Sequence, residues 1–132
     1  MMKLINILTL ALFISISSLG QNIPEGLVNA MKTGNAKNLS EFFHQSLEMT
    51  ILEKDYNSSK NQATRIMEDF FRDHKPSDFT ISFEGTKEKS KYAIGILKTK
   101  DQEFRINMFF LNKGEEKLIY YLSIEKESEY AL

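Results

Sequence analysis

The feature that most constrains the fold is a series of four segments in which apolar residues recur at every second position. They read DFTISFEG, KYAIGILKTK, EFRINMFFLN and KLIYYLSIEKE, and they begin at residues 78, 91, 103 and 117. This period of two, with many β-branched and aromatic residues, predicts strands that are buried on one face. The segments between them are short and carry charges or glycine, so consecutive strands must be antiparallel neighbours. Gly95, inside the second segment, predicts a bend or bulge in the sheet.

The N-terminal half contains residues that are typical of helix starts and helix ends. A short helix over NIPEGLVNAMKTGN is expected to end at Gly34, which suits a left-handed stop, and Asn35 is expected to cap a second short helix. A longer helix lies in SKNQATRIMEDFFRDHKP, where Ser59 and Gln62 have the spacing of a capping box and Pro76 ends the pattern. Its apolar residues form an amphipathic stripe, which is typical of a helix packed on a core.

The stretch FFHQSLEMTILE, residues 42–53, joins these two halves. Its polar residues His44–Ser46 are expected to turn the second helix into the first strand. The alternation that follows predicts a half-buried strand with one face formed by Leu47, Met49 and Ile51. The next residues, KDYNSS, are interpreted as a turn.

The composition describes one folded domain over residues 21–132. Hydrophobic residues make up 42% of the 132 residues and charged residues 27%, and there is no cysteine. Disulfides and thiolate chemistry are therefore excluded, and two histidines with no metal-binding spacing predict neither a metal site nor a cofactor. A net charge of −1, with acids and bases alternating along the chain, argues against nucleic acid as a partner.

Residues 1–20 have the pattern of a secretory signal peptide. Lys3 precedes an apolar run from Leu4 to Ile16, and Ser18 and Gly20 place small side chains before a cleavage point ahead of Gln21. The run is shorter than the about 20 residues that a membrane-spanning helix needs, so no stable membrane anchor is expected. The sequence therefore predicts export, with the mature chain periplasmic or secreted after cleavage near Gly20.

The order of these elements resembles the nuclear transport factor 2-like (NTF2-like) superfamily. The stretch AKNLSEFFHQSLEMTI is similar to its usual passage from second helix to first strand. The stretches IPEGLVNAMKTGNAKNLSEFF, SKYAIGILKTKDQEFRI and LIYYLSIEKE also resemble an exported bacterial family, domain of unknown function 4783. The resemblance implies an α+β cone, in which N-terminal helices pack on a curved antiparallel sheet of four to five strands around an apolar cavity.

Enzymes of this superfamily place acids, tyrosines or histidines in the cone, and ketosteroid isomerase has a general base in the first strand and a tyrosine in the first helix. The matching positions are Ile51, with Met49 beside it, and the inward residues Leu27, Ala30 and Met31. Apolar side chains cannot transfer protons, so no catalytic residue is predicted and the chain is not expected to be an enzyme. A small apolar ligand is instead expected in a cavity lined by Met31, Phe43, Met49, Ile51, Met67, Phe70, Ile106 and Met108.

The outer face of the sheet is the second candidate site. An apolar patch predicted there would mark a partner surface, and superfamily members commonly pair through this face, so a homodimer is a candidate assembly. Its predicted members are Leu97, Phe109, Ile119 and Tyr121. Arg105 and Asn107 are assigned to the outer face, with the reverse parity left open, and one of Tyr120 and Tyr121 is expected near the core.

Three functions therefore remain open from the sequence. The first is an exported non-catalytic domain that binds an apolar ligand or, through its sheet, another protein. The second is an isomerase, dehydratase or hydrolase with an unusual set such as His44, Tyr92 or Arg105. The third is a cone filled by its own phenylalanines, which would act as a structural or dimerisation module without a ligand.

Overall fold

The structure is a computed structural model that describes residues 23–88, 90–113 and 116–127. The predicted signal peptide, residues 1–20, lies outside these ranges. Among the residues described, no helix has both the length and the apolar character needed to cross a membrane.

Two short helices open the domain, as predicted. Helix α1 spans Glu25–Thr33 and ends at Gly34, whose left-handed backbone has a φ of 67°. Helix α2 spans Ala36–Leu39, and the side chain of its N-cap residue Asn35 accepts a hydrogen bond from the backbone N–H of Asn38 at 2.9 Å. A 3-10 turn over Ser40–Phe42 then leads directly into the first strand.

The longest helix is α3, Lys60–Asp73, and its predicted capping box is confirmed. The Ser59 side chain accepts from the Gln62 N–H, and the Gln62 side chain accepts from the Ser59 N–H, at 3.2 and 3.1 Å. The apolar stripe of this helix is buried at Ala63, Met67, Phe70 and Phe71. His74 is its C-cap residue, and its ring lies against Phe70 and Phe104, with centroid distances of 4.8 and 4.9 Å.

The sheet has six strands where four to five were predicted. Their spatial order is β2-β1-β6-β5-β4-β3, and β3 to β6 form the predicted antiparallel meander. The first and last strands, β1 and β6, join in parallel. The strand bounds are β1 Phe43–Ile51, β2 Lys54–Ser59, β3 Pro76–Lys87, β4 Ser90–Thr99, β5 Glu103–Lys113 and β6 Glu116–Lys126.

The additional strand is β2, the segment KDYNSS that was interpreted as a turn. It pairs antiparallel with β1, and the turn is formed instead by Leu52 and Glu53, whose φ values are 48° and 76°. Positive φ at both central residues is the geometry of a two-residue hairpin, although asparagine and glycine are the usual residues there. Only one member of β2, Ser58, is buried, so the strand lacks the apolar alternation that predicts a strand.

The polar residues His44–Ser46 were also misassigned, since they lie within β1 and do not form a turn. The register of β1 against β6 explains their irregular pattern. Phe43 is paired with Ile119 and Glu48 with Tyr121, so four residues of β1 stand opposite Tyr120 alone. This irregularity is larger than the two-against-one count of an ordinary bulge, and it interrupts the pairing between β1 and β6 locally.

Gly95 marks a bend, as predicted. The register between β3 and β4 shifts between Ile81 and Phe83, directly beside Gly95. The ring of Phe79 packs onto Gly95 so closely that a Cβ atom there would come within 2.2 Å of it. Glycine is therefore required at this position because the aromatic ring occupies the space of a side chain.

Two residues assigned to the outer face, Leu97 and Ile119, are in fact in the core at 0% exposure. Leu97 is paired with the buried Phe104, so it faces the helices. In β6, a register shift opposite Phe109 and Phe110 leaves Tyr120 as an extra residue. This bulge reverses the alternation of the strand, which puts both Ile119 and Leu122 in the core.

Candidate functional site

The interior of the cone is packed with side chains. All eight residues predicted to line a cavity belong to one core cluster, and their exposure runs from 0% to 9%. Four surface grooves of the described chain have volumes of about 340 to 640 Å³, and Met49 is the one member of the eight that reaches any of these four. This packing favours the alternative in which the cone is filled by its own side chains.

The positions that correspond to the superfamily's catalytic groups face this packed interior. Met49 and Ile51 on β1 are buried, as are Leu27, Ala30 and Met31 on α1. The predicted inward orientation of all five residues is therefore confirmed. None of them carries a group that titrates, so proton transfer at these points would need a different residue.

The unusual catalytic set considered from the sequence is not brought together. His44 Nδ1 lies 3.1 Å from the Ser46 carbonyl oxygen of its own strand. Arg105 donates two hydrogen bonds of 3.2 Å to the carboxylate of Glu127. Tyr92 stacks on another aromatic ring, and each of the three groups thus has its own local partner. Arg105 lies on the outer face beside acids, as predicted, while Phe104, Ile106, Met108 and Phe110 form the inner face of β5.

The outer face of the sheet carries a row of aromatic side chains that crosses four strands. We call it the aromatic row; its members are Phe83, Tyr92, Phe109, Tyr120 and Tyr121. The Tyr92 and Phe109 rings are stacked at 5.5 Å, and Phe83 contacts Tyr92 at 5.7 Å. Tyr120 and Tyr121 both contact Phe109, with ring centroids 6.2 and 5.7 Å away. Neither tyrosine is therefore in the core, whereas the sequence had predicted one of them there.

The row follows from the strand register. Tyr92, Phe109 and Tyr121 are direct partners across β4, β5 and β6, so their side chains must stand side by side on one face. Gly85 of β3 lies opposite Tyr92, and a Cβ atom there would come within 2.8 Å of the tyrosine ring. The absence of a side chain at Gly85 therefore lets the Tyr92 ring lie flat on the sheet.

Two pairs of polar residues on the outer face near the row are joined by hydrogen bonds. The Asn107 amide donates to the Ser123 hydroxyl at 2.9 Å, and the Thr50 hydroxyl donates to Asp55 at 2.8 Å. These pairs leave the aromatic rings as the main groups that a partner could contact. Phe83 is the most exposed of the large hydrophobic residues described, at 50%.

A groove of about 640 Å³ with a mixed polar and apolar lining lies at one end of the outer face, where the register of β1 shifts against β6. We call it the bulge groove. Its lining is formed by residues 44–48 of β1, residues 57–59 of β2, Leu111 and Tyr120. No lysine or arginine is among these residues, and Glu48 is the one acid.

One lysine is electrostatically perturbed. Burial, followed by the neighbouring charge of Lys91, lowers the pKa of Lys117 from its usual 10.5, and Glu84 opposes the shift. Within the described ranges, no three or more histidine, aspartate or glutamate side chains come together in a way that could hold a metal ion.

Sequence reasoning identified Phe109 and Tyr121 but missed the rest of the row. Tyr92 was considered only as a catalytic group, Tyr120 only as a core residue, and Phe83 was assigned no role. The available signal was the row's spacing on adjacent antiparallel strands, but it can be used only once the register is known. A single bulge changes that register, and the sequence of β6 does not reveal the bulge.

The comparisons with known proteins agree with this architecture. A family model described as "Domain of unknown function (DUF4783)" matches residues 24–125. A DUF4783 family protein from Bacteroides ovatus is 32% identical, with a TM-score of 0.76 over 83% of this chain and 100% of that one. One from Bacteroides uniformis is also 32% identical, with a TM-score of 0.75 over 82% and 100% of the two chains.

More distant structures share the fold alone. An NTF-2 like protein of unknown function from Silicibacter pomeroyi is 14% identical, with a TM-score of 0.57 over 78% of this chain and 88% of that one. No functionally curated protein matches the sequence.

Proposed function

Because the chain belongs to the DUF4783 family, a domain of unknown function with an NTF2-like fold, we propose its function from the geometry of its sheet. The chain is a non-catalytic binding domain, and its outer sheet face pairs with a second copy of the chain. The observation that supports this function is the aromatic row, five rings that each contact at least one other, on a face that none of the described helices covers.

The size of the face fits this partner. Six strands spaced about 4.8 Å apart, with about ten residues each at about 3.3 Å per residue, give a face on the order of 900 Å². A stable interface buries about 800 Å² on each partner, so the whole face would suffice and a corner of it would not. A second copy offers an equally flat, aromatic face, and a two-fold axis would bring the two faces together.

The charges of the face are also compatible with self-association. Arg105 lies 3.8 Å from Glu125 and 3.2 Å from Glu127, so its charge is compensated within one copy. Two such faces can meet without placing an uncompensated arginine against its symmetry mate. The rings at the centre would then supply the apolar contact that interface cores require.

The non-catalytic part of the proposal rests on the interior. The buried positions Met49 and Ile51 are apolar where related enzymes carry an acid, and the side chains around them are packed. A ligand inside the cone would have to displace this packing, which makes the outer face the better candidate for binding.

Sedimentation equilibrium of the purified chain at several concentrations tests the proposal. We expect a monomer–dimer equilibrium that Phe109→Arg shifts to the monomer, because the row would then carry a charge at its centre. The matched control is Asn61→Arg, an exposed residue on α3, on the helix side of the sheet. A wild-type chain that stays monomeric at all concentrations, or a dimer that tolerates Phe109→Arg, would refute the proposed pairing.

We also propose that the domain acts outside the cytoplasm, on the strength of the signal peptide predicted at residues 1–20. Expression of the full chain in a bacterial host, followed by fractionation and intact-mass measurement, tests this. The expected product lies in the periplasm or medium and begins at Gln21. A full-length cytoplasmic product would contradict it.

A further inference from the structure

The bulge groove has a structural origin that separates it from the rest of the outer face. Between the pairs Phe43–Ile119 and Glu48–Tyr121, four residues of β1 lie opposite one residue of β6. The same part of β1 stays paired with β2, through Ser46–Ser59 and Leu47–Ser58. The ladder is therefore interrupted on the β6 side, while the β2 side of the groove stays hydrogen-bonded to β1.

Three exposed polar side chains of this groove lack the partners that polar groups elsewhere on the face have. The side chains of Gln45, Glu48 and Asn57 have no hydrogen-bond or ion-pair partner among the described residues. Ser58 is not one of this set, because it pairs with the buried Leu47 and so lies on the inner face of the sheet.

The contrast with nearby pairs is informative. Asn107 bonds Ser123 and Thr50 bonds Asp55, so neighbouring polar residues on this sheet satisfy one another. Glu48 and Asn57 are also direct cross-strand partners, yet no hydrogen bond joins their side chains. Both side chains line the groove, where an external ligand could reach them.

The chemistry of the lining selects the ligand class. Hydroxyl, amide, imidazole and carboxylate groups offer donors and acceptors in mixed order, which suits a molecule with several hydroxyl groups. Without lysine or arginine in the lining, the groove has no group that would favour a phosphate or carboxylate. A purely apolar ligand would bury these polar groups without partners and is disfavoured.

The groove also has an apolar wall. Leu111 is 39% exposed, and the Tyr120 ring is held in place because its hydroxyl donates to the Ser90 hydroxyl at 3.3 Å. A sugar ring presents C–H groups on its faces and hydroxyls at its rim, so it could lie on this wall while its hydroxyls meet the polar side. The volume of about 640 Å³ falls in the range of about 300–1,000 Å³ that small-molecule sites occupy.

We propose that the bulge groove binds a neutral saccharide of one or two rings. The Glu48 carboxylate accepts hydrogen bonds from adjacent sugar hydroxyls, and the Asn57 amide both donates and accepts. His44 is held by its Nδ1 atom against Ser46, which leaves Nε2 free to face the ligand. Tyr120 belongs both to this groove and to the aromatic row, so pairing of the whole outer face would cover the site, and the sugar would bind the monomer.

Amide chemical-shift mapping of the purified chain tests the inference. The probes are glucose, galactose, mannose, N-acetylglucosamine and their disaccharides, with a sugar phosphate and glucuronic acid as charged comparisons. We expect saturable shifts at residues 44–48, 57–59 and 111 with at least one neutral probe, and weaker binding of its charged analogues. No saturable shift with any neutral probe, shifts centred elsewhere, or tighter binding of a charged analogue would overturn the proposal.

Two variants establish which groups bind. Asn57→Ala and Glu48→Gln should each weaken the responding sugar about tenfold or more, because each removes hydrogen bonds that include a charged or amide group. Both residues are exposed, so the fold should be retained, and Asn61→Ala is the matched asparagine control. Unchanged affinity in both variants would overturn the assignment. Phe83→Arg, at the end of the aromatic row away from Tyr120, should also disrupt the dimer and keep the sugar response, so this test and that of the dimer can fail separately.

Discussion

The two faces of the sheet are both rich in large apolar residues, but they use them differently. On the inner face of β5, Phe104, Ile106 and Met108 are each 0% exposed and are surrounded by the helices and neighbouring strands. On the outer face of the same strand, the Phe109 ring contacts the rings of Tyr92, Tyr120 and Tyr121, all of which are partly exposed. The inner residues therefore account for the stability of the fold, while the outer ones are available for binding.

The largest difference between the two faces is expected when one aromatic ring is removed from each face of β5. Phe104→Ala should lower the free energy of unfolding by about 4 kcal/mol, because it leaves a cavity among packed side chains. Phe109→Ala, the matched control, should lower it by only about 1 kcal/mol, since its ring is partly exposed. Urea unfolding of both variants measures the difference. Equal losses would mean that the outer row is as much part of the core as the inner face.

A second test uses the two glycines that lie under aromatic rings. Gly95→Ala should destabilise the fold by about 2 kcal/mol, because the new methyl group would lie 2.2 Å from the buried Phe79 ring. Gly85→Ala should cost less, about 1 kcal/mol, because the Tyr92 ring on the outer face can swing away. Thermal and urea unfolding provide the comparison, and a larger loss for Gly85→Ala would contradict it.

The hydrogen-bonded pair Asn107–Ser123 on the outer face allows a test with a smaller expected change in stability. Asn107→Ala should cost about 1 kcal/mol, because it leaves the largely buried Ser123 hydroxyl without its partner at 2.9 Å. The double variant Asn107→Ala with Ser123→Ala should recover part of this loss in a double-mutant cycle. If the two single losses simply add, the hydrogen bond contributes nothing measurable.

The smallest expected effect is the titration of Lys117. Its folded pKa is lowered from 10.5, so between the folded pKa and 10.5 the unfolded chain binds more protons than the folded one. The contribution of this lysine to stability should therefore rise with pH across that window. Lys117→Gln should remove this part of the pH dependence, as measured by urea unfolding from neutral to alkaline pH. The same slope in both chains would show that the lysine is not perturbed.

Most of the fold could be predicted because its signals are local. The Ser59–Gln62 capping box, the left-handed Gly34 and the period of two from residue 78 each reflect the chemistry of a few adjacent residues. Strand β2 was missed because it is an edge strand with one buried residue, Ser58, and so lacks an apolar pattern of its own. Its extended conformation depends on its hydrogen bonds to β1. That pairing is a property of two segments and not of the sequence of either one.

The candidate site was harder to predict than the fold. Residues on both faces of β4 are apolar, so nothing in the sequence reveals that Leu97 faces inward while Ile94 and Ile96 face outward. In β6, the extra residue Tyr120 reverses the alternation, which moved Ile119 into the core and both tyrosines next to Phe109. The bulge groove exists only because the register of β1 shifts against β6, a strand far away in the sequence.

The parallel pairing of β1 with β6 has a consequence for the order in which the chain folds. Phe43 is paired with Ile119, so a contact at the centre of the sheet must wait until β6 has left the ribosome. Such long-range contacts slow folding, because the entropy cost of closing a large loop must be met before the stabilising contacts can form. The sheet of a chain that emerges residue by residue would therefore stay incomplete until β6 is made, with β1 and β2 left as an isolated hairpin. A hairpin of two strands is marginal in water. Late closure of this kind leaves time for a chaperone or a translocation machine to engage the chain before the sheet is complete.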